Sequence, residues 1–306
     1  MDRLHIRPGD DLRHRLPAAG IAGDYLCISD PACVGPAQDE DGLIGWIGRR
    51  ARFVALHAHV DAGEARTRLG REYAALHALH RQEAIWLWFE HDLWDQASLL
   101  RVLSILAPKP ALRAKLWLLP ADGRRSFPDL SDAELAALRP LSLTDAQMED
   151  AVAAWDGFTA TDPRALDALS RRALALPHLA AAMRRHLQDL PWTTDGLALT
   201  ERLVLTAVAQ GATDLSAVFR ALRMADPVFH FTDLILAEVL LRLQTGPRRL
   251  IAREVPLRPT LRGEAVLAGC ERHRSPSRSL AGVTIRPDPA WLWDPEGGRV
   301  VAGGGA

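Results

Sequence analysis

Residues 84–106, AIWLWFEHDLWDQASLLRVLSIL, constrain the fold more than any other stretch of this chain. The run Ile85-Trp86-Leu87-Trp88-Phe89 is apolar and aromatic but too short for a helix of its own, so it reads as a buried strand. Glu90, His91, Asp92 and Asp95 follow at once, with Gln96 beside them. A helical pattern then carries Leu99, Leu100, Val102, Leu103, Ile105 and Leu106. A strand, an acidic corner and a helix in that order are the entry to an α/β layered domain. The corner falls at the carboxyl end of the strand, where open α/β sheets bind ligands.

The same alternation runs through residues 1–122. Leu4-His5-Ile6-Arg7 reads as a first strand, ended by Pro8-Gly9. Asp10 and Asp11 precede a short helical pattern of Leu12, Leu16 and Ile21, closed near Gly20. Residues 24–28 read as a second strand, running into a loop with Ser29-Asp30-Pro31 and Gly35-Pro36. Residues 42–82 are helical with a break near Asp61-Ala62-Gly63, and residues 115–119, KLWLL, are a fourth strand. Strands alternating with helices imply a parallel sheet covered by helices.

All strands of such a sheet end on one edge. That edge is expected to gather Asp10, Asp11, Asp30, Glu90, His91 and Asp92, with backbone amides at Gly9 and Gly35. Trp88, Asp95 and Gln96 complete the expected ligand-binding set. Glu90, His91 and Asp92 are the candidates for acid/base work or metal ligation. Gathered carboxylates need an offset, from an arginine such as Arg50 or Arg52, a cationic ligand, or a hard cation such as Mg²⁺. Each residue also has a structural reading. Asp92 and Asp95 have capping-box spacing at a helix start, and Asp10 or Asp11 could cap the first helix.

Other chemistry is weakly signalled. The first βα turn, PGDDLRHRL, lacks GxGxxG and GK[ST], so a standard NAD or ATP site is not expected. His57-Ala58-His59 with Asp61 lacks the further His of a metal-hydrolase motif and reads as a solvated face. His77 and His80 read as surface residues and Cys33 as a small packed thiol. No Ser or Cys has a nucleophile-elbow context.

Taken together, Gly9-Asp10-Asp11, Asp30-Pro31 with Gly35-Pro36, and Trp88-Phe89-Glu90-His91-Asp92 with Asp95-Gln96 resemble the bacterial family named domain of unknown function 1835, over roughly residues 4–120. PWTTDGLALTERLVL, TLRGEAVLAG and the WLWD of residues 291–294 resemble its companion, domain of unknown function 3658, over roughly residues 190–295. The resemblance implies no established activity. It implies that these positions act as one unit.

Beyond residue 122 the expected organisation is a helical bridge over 123–190 and a winged-helix-like domain over 191–306. Ser131 with Glu134 and Thr144 with Gln147 are capping-box signatures that start bridge helices. Helices are expected from Thr200, Asp214 and Thr232, then a strand at Leu250-Ile251-Ala252-Arg253. The third of these helices, FTDLILAEVLLRLQ, has Arg242 as its only basic residue, which disfavours DNA binding. Its leucines suggest burial against the first domain or a second copy. A formal net charge of −1 adds no field for nucleic acid or an anionic membrane.

Three cysteines without a CxxC pair, and a first segment without an apolar signal core, fit a cytoplasmic protein. No window nears 18 uninterrupted apolar residues, so no membrane span is expected. The function expected is small-ligand binding or regulation through the sheet-edge site, with a cofactor, if any, left unspecified. The alternatives are an acid/base or metal-assisted enzyme at Glu90-His91-Asp92 and a DNA-binding regulator.

Overall fold

The computed structural model describes residues 2–38 and 41–304. From the N-terminus, β1 (Arg3–Arg7) leads to α1 (Arg15–Ala18), β2 (Asp24–Cys27) and the two-residue strand β3 (Gly35–Pro36). Helices α2 (Gly42–Ala58) and α3 (Ala62–His77), β4 (Ala84–Leu87), α4 (Leu93–Leu106), α5 (Pro110–Arg113) and β5 (Leu116–Leu118) follow. The middle of the chain supplies α6 (Asp132–Ala137), β6 (Leu141–Ser142), α7 (Asp145–Thr159), α8 (Arg164–Ser170) and α9 (Leu179–Leu187). The last third holds α10 (Leu199–Ala209), α11 (Leu215–Ala225), α12 (Asp233–Gln244) and α13 (Leu261–Leu267), then β7 (Arg278–Ala281), β8 (Val283–Ile285), β9 (Trp291–Asp294) and β10 (Arg299–Ala302).

The fold is mixed α/β. Its main sheet has the order β2-β1-β4-β5-β6. β1 runs parallel to β2 and β4, and β4 parallel to β5, as the alternation implied; β6 joins antiparallel. Because β2 and β4 flank β1 on opposite sides, the carboxyl ends of β1 and β4 form a topological switch point, where such sheets bind ligands.

Strand alternation divides the core. Leu4 and Ile6 of β1, Ile85 and Leu87 of β4 and Leu116 of β5 belong to the larger buried cluster, shared with α2, α3 and α4. On the other face Trp88 and Leu119 join Leu12, Leu16, Phe127 and Leu135. This period of two is what a pleated strand requires. α4 is the central helix: twelve of its fourteen residues are buried, so it needs apolar side chains all round. It packs on α3, α7 and α9.

Two long-range features tie the segments together. β3 pairs in parallel with β7, and β7 antiparallel with β8, so the loop after β2 shares a sheet with residues near the C-terminus. The larger buried cluster runs from Leu4 to Val300 without interruption. Helices α10, α11 and α12 pack on one another, and α12 also packs on α2.

The strand expected at Leu250–Arg253 is corrected: Ile251 makes a single bridge with Pro259. The bonds of that bridge run from the Ala252 N–H to the Arg258 carbonyl and from the Thr260 N–H to the Leu250 carbonyl, both at 2.9 Å, and α13 begins directly after at Leu261. Among the described residues no helix is long and apolar enough to cross a membrane.

Candidate functional site

Arg7 ends β1 and, two residues on from His5, points to the face opposite Leu4 and Ile6. Its guanidinium donates to both carboxylate oxygens of Asp11 at 2.7 Å, to Oε1 of Glu90 at 2.7 Å and to the Trp88 carbonyl at 3.3 Å. It lies 3.6 Å from Asp95. Glu90 Oε1 also accepts the Phe127 N–H at 2.9 Å, and the Phe127 ring lies 5.6 Å from the guanidinium. The connector between β5 and α6 thus folds back over the switch point and closes it. Asp95 accepts the Glu90 N–H at 2.6 Å, and the Gln96 amide donates to the Glu90 carbonyl at 2.5 Å. Asp92 is the N-cap of α4, accepting the Asp95 N–H at 3.1 Å.

Glu90, Asp92 and Asp95 are all buried, and each offers an oxygen within 4.8 Å of the others, the one such group among the described residues. These three could hold a cation, yet Arg7 already provides the positive charge between Glu90 and Asp95. Burial pushes the Asp95 carboxyl well up, and Asp92 beside it adds to the rise against the pull of Arg7. Burial also raises Asp92, against the Asp95 N–H that it caps. Burial thus disfavours the charged form of both carboxyls, and Arg7 works against that at Asp95.

The remaining expected residues do not all join this corner. Asp10 is exposed and pairs with Arg13 at 2.7 Å, while the Gly9 carbonyl accepts the Tyr25 hydroxyl at 2.6 Å. Asp30 forms a separate buried unit. It accepts from Arg50 Nε at 2.7 Å, the Tyr73 hydroxyl at 2.7 Å and Trp46 Nε1 at 3.2 Å. The other nitrogens of Arg50 donate to the Pro31, Val34 and Pro36 carbonyls at 2.8, 2.8 and 3.0 Å, so this pair stitches the loop after β2. Asp10, Asp30 and Glu90 thus follow the carboxyl ends of the parallel strands β1, β2 and β4, on one edge as expected, but each carboxylate is held by its own arginine. Arg50 offsets Asp30 alone, Arg52 is exposed, and the offset at the corner is Arg7.

Trp88 is buried and donates through Nε1 to His5 Nδ1 at 3.1 Å, so the His5 proton sits on Nε2, 3.3 Å from the Ala22 carbonyl. Burial holds this imidazole down at about 4, so it is neutral near pH 7. His91 is half-buried, its ring edge-on to His178 at 6.0 Å, and its Nδ1 has no hydrogen-bond partner.

Gly35 belongs to a different place, a cavity of about 290 Å³. One wall is the Cys33–Pro36 loop with Phe53 and His57 of α2; the other comes from α9, α10, α12 and β7. Gly35 has φ +75°, and a Cβ there would sit 2.3 Å from the Phe53 ring, so only glycine lets that ring close the wall. Cys33 is buried, which pushes its thiol up and keeps it unreactive.

A polar chain crosses this cavity. His57 lies 2.8 Å from the Phe53 carbonyl through Nδ1 and 3.1 Å from Glu238 through Nε2. Glu238 accepts from Arg242 at 3.1 Å, and Arg242 also reaches the fully buried Glu201 at 3.1 Å. Glu201 further accepts the Ala198 N–H at 3.1 Å and the Ser275 hydroxyl at 3.0 Å. The solvated reading thus holds for His59, which is exposed, and is corrected for His57, which bridges the two parts of the chain.

Arg278 stands apart from that chain. It donates one hydrogen bond, from Nη2 to the Asp189 carbonyl at 2.6 Å, and its Nε is buried without a partner. Among the described residues no carboxylate pairs with it. The Asp189 carboxylate is taken by the Thr200 N–H at 2.8 Å, the Thr200 hydroxyl at 2.9 Å and Arg185 at 3.2 Å. Burial lowers the Arg278 pKa, against the attraction of Glu201, Asp189 and Glu238. His186 also lines the cavity; burial brings it down to about 3, and its Nδ1 is unpartnered.

Arg7, Phe127, Glu238 and Arg278 carry no signal in the sequence, and His57 has one only as part of a solvated face. In a chain rich in arginine, nothing local marks Arg7 or the Arg278 of SPSRSLAG. Neither a known family model nor a curated protein matches this sequence.

Proposed function

We propose that this is a small-ligand-binding protein of regulatory type, whose ligand occupies the cavity between the α/β layer and the C-terminal helices. One observation carries the reading: the cavity wall comes from both parts, which meet through the His57–Glu238 contact and the β3–β7 pairing. A ligand filling it touches both and so biases how they sit together. The cavity opens beside the loop after β2, at the carboxyl edge of the main sheet.

The alternatives have less support. At the acid corner, Arg7 and the Phe127 N–H occupy Oε1 of Glu90, and Asp92 is engaged as the cap of α4. On α12, Arg242 is engaged by Glu201 and Glu238, which leaves that helix without a free cation for phosphate contacts. Three free cysteines fit a cytoplasmic setting. The resemblance to the domain of unknown function 1835 family stays a proposal.

The test is a metabolite screen by thermal unfolding, with native mass spectrometry to detect bound small molecules. A ligand at one hundred times its Kd is expected to add about 2.7 kcal/mol of stability. Ile235→Trp, which puts bulk into the cavity wall, should abolish the response. A ligand that stabilises this variant as well as the parent would place the site elsewhere and sink the reading.

A further inference from the structure

We infer that the ligand of the junction cavity carries an oxyanion, a carboxylate or a phosphate, seated against Arg278. This rests on the reading that the cavity is the ligand site, and it adds the chemistry of what binds there.

An arginine side chain has five N–H donors in a rigid fork and stays charged in proteins. Arg278 uses one donor, on the Asp189 carbonyl, and its Nε is buried and unpartnered. The acids around it are committed: Glu201 to Arg242 and Ser275, Glu238 to Arg242 and His57, Asp189 to Thr200 and Arg185. A cation that is partly desolvated and lacks its own counter-charge is unfavourable in an empty cavity. An oxyanion fits the fork in a bidentate way and turns that cost into a charge-assisted contact.

The surroundings agree with such a guest. Ser277 and Ser279 flank Arg278 on the cavity wall and bring hydroxyl donors. His186 stays neutral near pH 7, so it can give an N–H without adding charge. Phe53, Phe229 and Leu280 supply an apolar floor for the rest of the molecule. At about 290 Å³ the space lies near the lower limit for organic ligands, so the guest is compact.

The experiment uses the full chain in a buffer free of phosphate, sulfate and carboxylates. Benzoate, phenyl phosphate, inorganic phosphate and the neutral benzamide are titrated into wild type, Arg278→Met and Arg278→Lys by calorimetry and thermal unfolding. Benzoate or a phosphate is expected to bind wild type at least tenfold more tightly than benzamide, and Arg278→Met to lose at least tenfold of that affinity. Arg278→Lys should keep part of it. The benzoate and phosphate arms separate the two oxyanions. Equal binding of benzamide and benzoate, or unchanged anion binding by Arg278→Met, would overturn the oxyanion while leaving the cavity as a ligand site. If no probe, charged or neutral, binds wild type, both readings fall. Should Arg278→Met not fold, Arg278→Lys and the wild-type preference over benzamide carry the comparison.

Discussion

Arg7 and Arg278 stand at two places of the same architecture, and the chain treats them in opposite ways. At the switch point, Arg7 is saturated by Asp11, Glu90 and the Trp88 carbonyl, and Phe127 covers it. At the junction cavity, Arg278 has a single carbonyl and open space. At the place that the topology marks for a ligand, the chain itself engages the cation, whereas among the described residues no carboxylate pairs with Arg278 at the seam between segments. A carboxyl-edge position therefore locates candidate sites, and the state of their charges decides between them.

The sharpest way to break that contrast is to remove Arg7. Arg7→Ala strands Glu90 in a buried, apolar setting without its counter-charge. The expected loss is about 3–5 kcal/mol, read as a drop in the urea midpoint at pH 7, with anion binding at the cavity retained. Arg50→Ala, which strands Asp30, should cost a similar amount. A loss below about 1 kcal/mol for Arg7→Ala would mean that the corner does not depend on its ion pairs.

Acidification should weaken the fold next. The folded-state pKa of His5 lies near 4 and that of His186 near 3, both below 6.5. The unfolded chain takes these protons first, so this stability is complete above about pH 6.5 and is lost as pH falls toward those values. Between pH 7 and 5 each histidine should cost about 2 kcal/mol. The raised Asp92 and Asp95 carboxyls act with opposite sign: their contribution is present at low pH and is lost as pH rises through their folded pKa. His186→Gln should flatten the slope between pH 7 and 5. A slope unchanged by that substitution would show that His186 titrates freely.

The smallest effect belongs to Asp92. As the cap of α4, Asp92→Ala should cost about 1 kcal/mol, whereas Asp92→Asn keeps the cap, relieves the repulsion from Asp95 and should stay within about 0.5 kcal/mol of wild type. A selective loss of ligand binding in Asp92→Asn would return the acid corner to the role of binding site.

Much of the scaffold was legible because its signals are local. The short apolar run of residues 85–89, the capping pairs Ser131 with Glu134 and Thr144 with Gln147, and the break near residues 61–63 all specify elements that the structure contains. The acidic corner was legible as a place, and Asp92 as a cap. Its closure was not, because Arg7 and Glu90 meet across 83 positions and Phe127 arrives from a connector that reads as polar. The cavity was hidden for the same reason. It needs β3 to pair with β7, and His57 to meet Glu238, contacts that no periodicity encodes. Asp30 was placed at the right edge but its pairing was not legible, because a carboxylate at a strand end looks the same whether it faces a ligand or an internal arginine such as Arg50.

The most direct test replaces each arginine by methionine, which keeps much of the volume and removes the charge, and measures unfolding by urea in ligand-free, phosphate-free buffer. Arg7→Met is expected to lose about 3 kcal/mol or more, since it leaves buried carboxylates unpaired. Arg278→Met is expected to lose less than about 1 kcal/mol or to gain stability, since it removes a cation that has no carboxylate partner among the described residues. Equal losses at the two positions would contradict the contrast, because Arg278 would then be as firmly paired within the fold as Arg7.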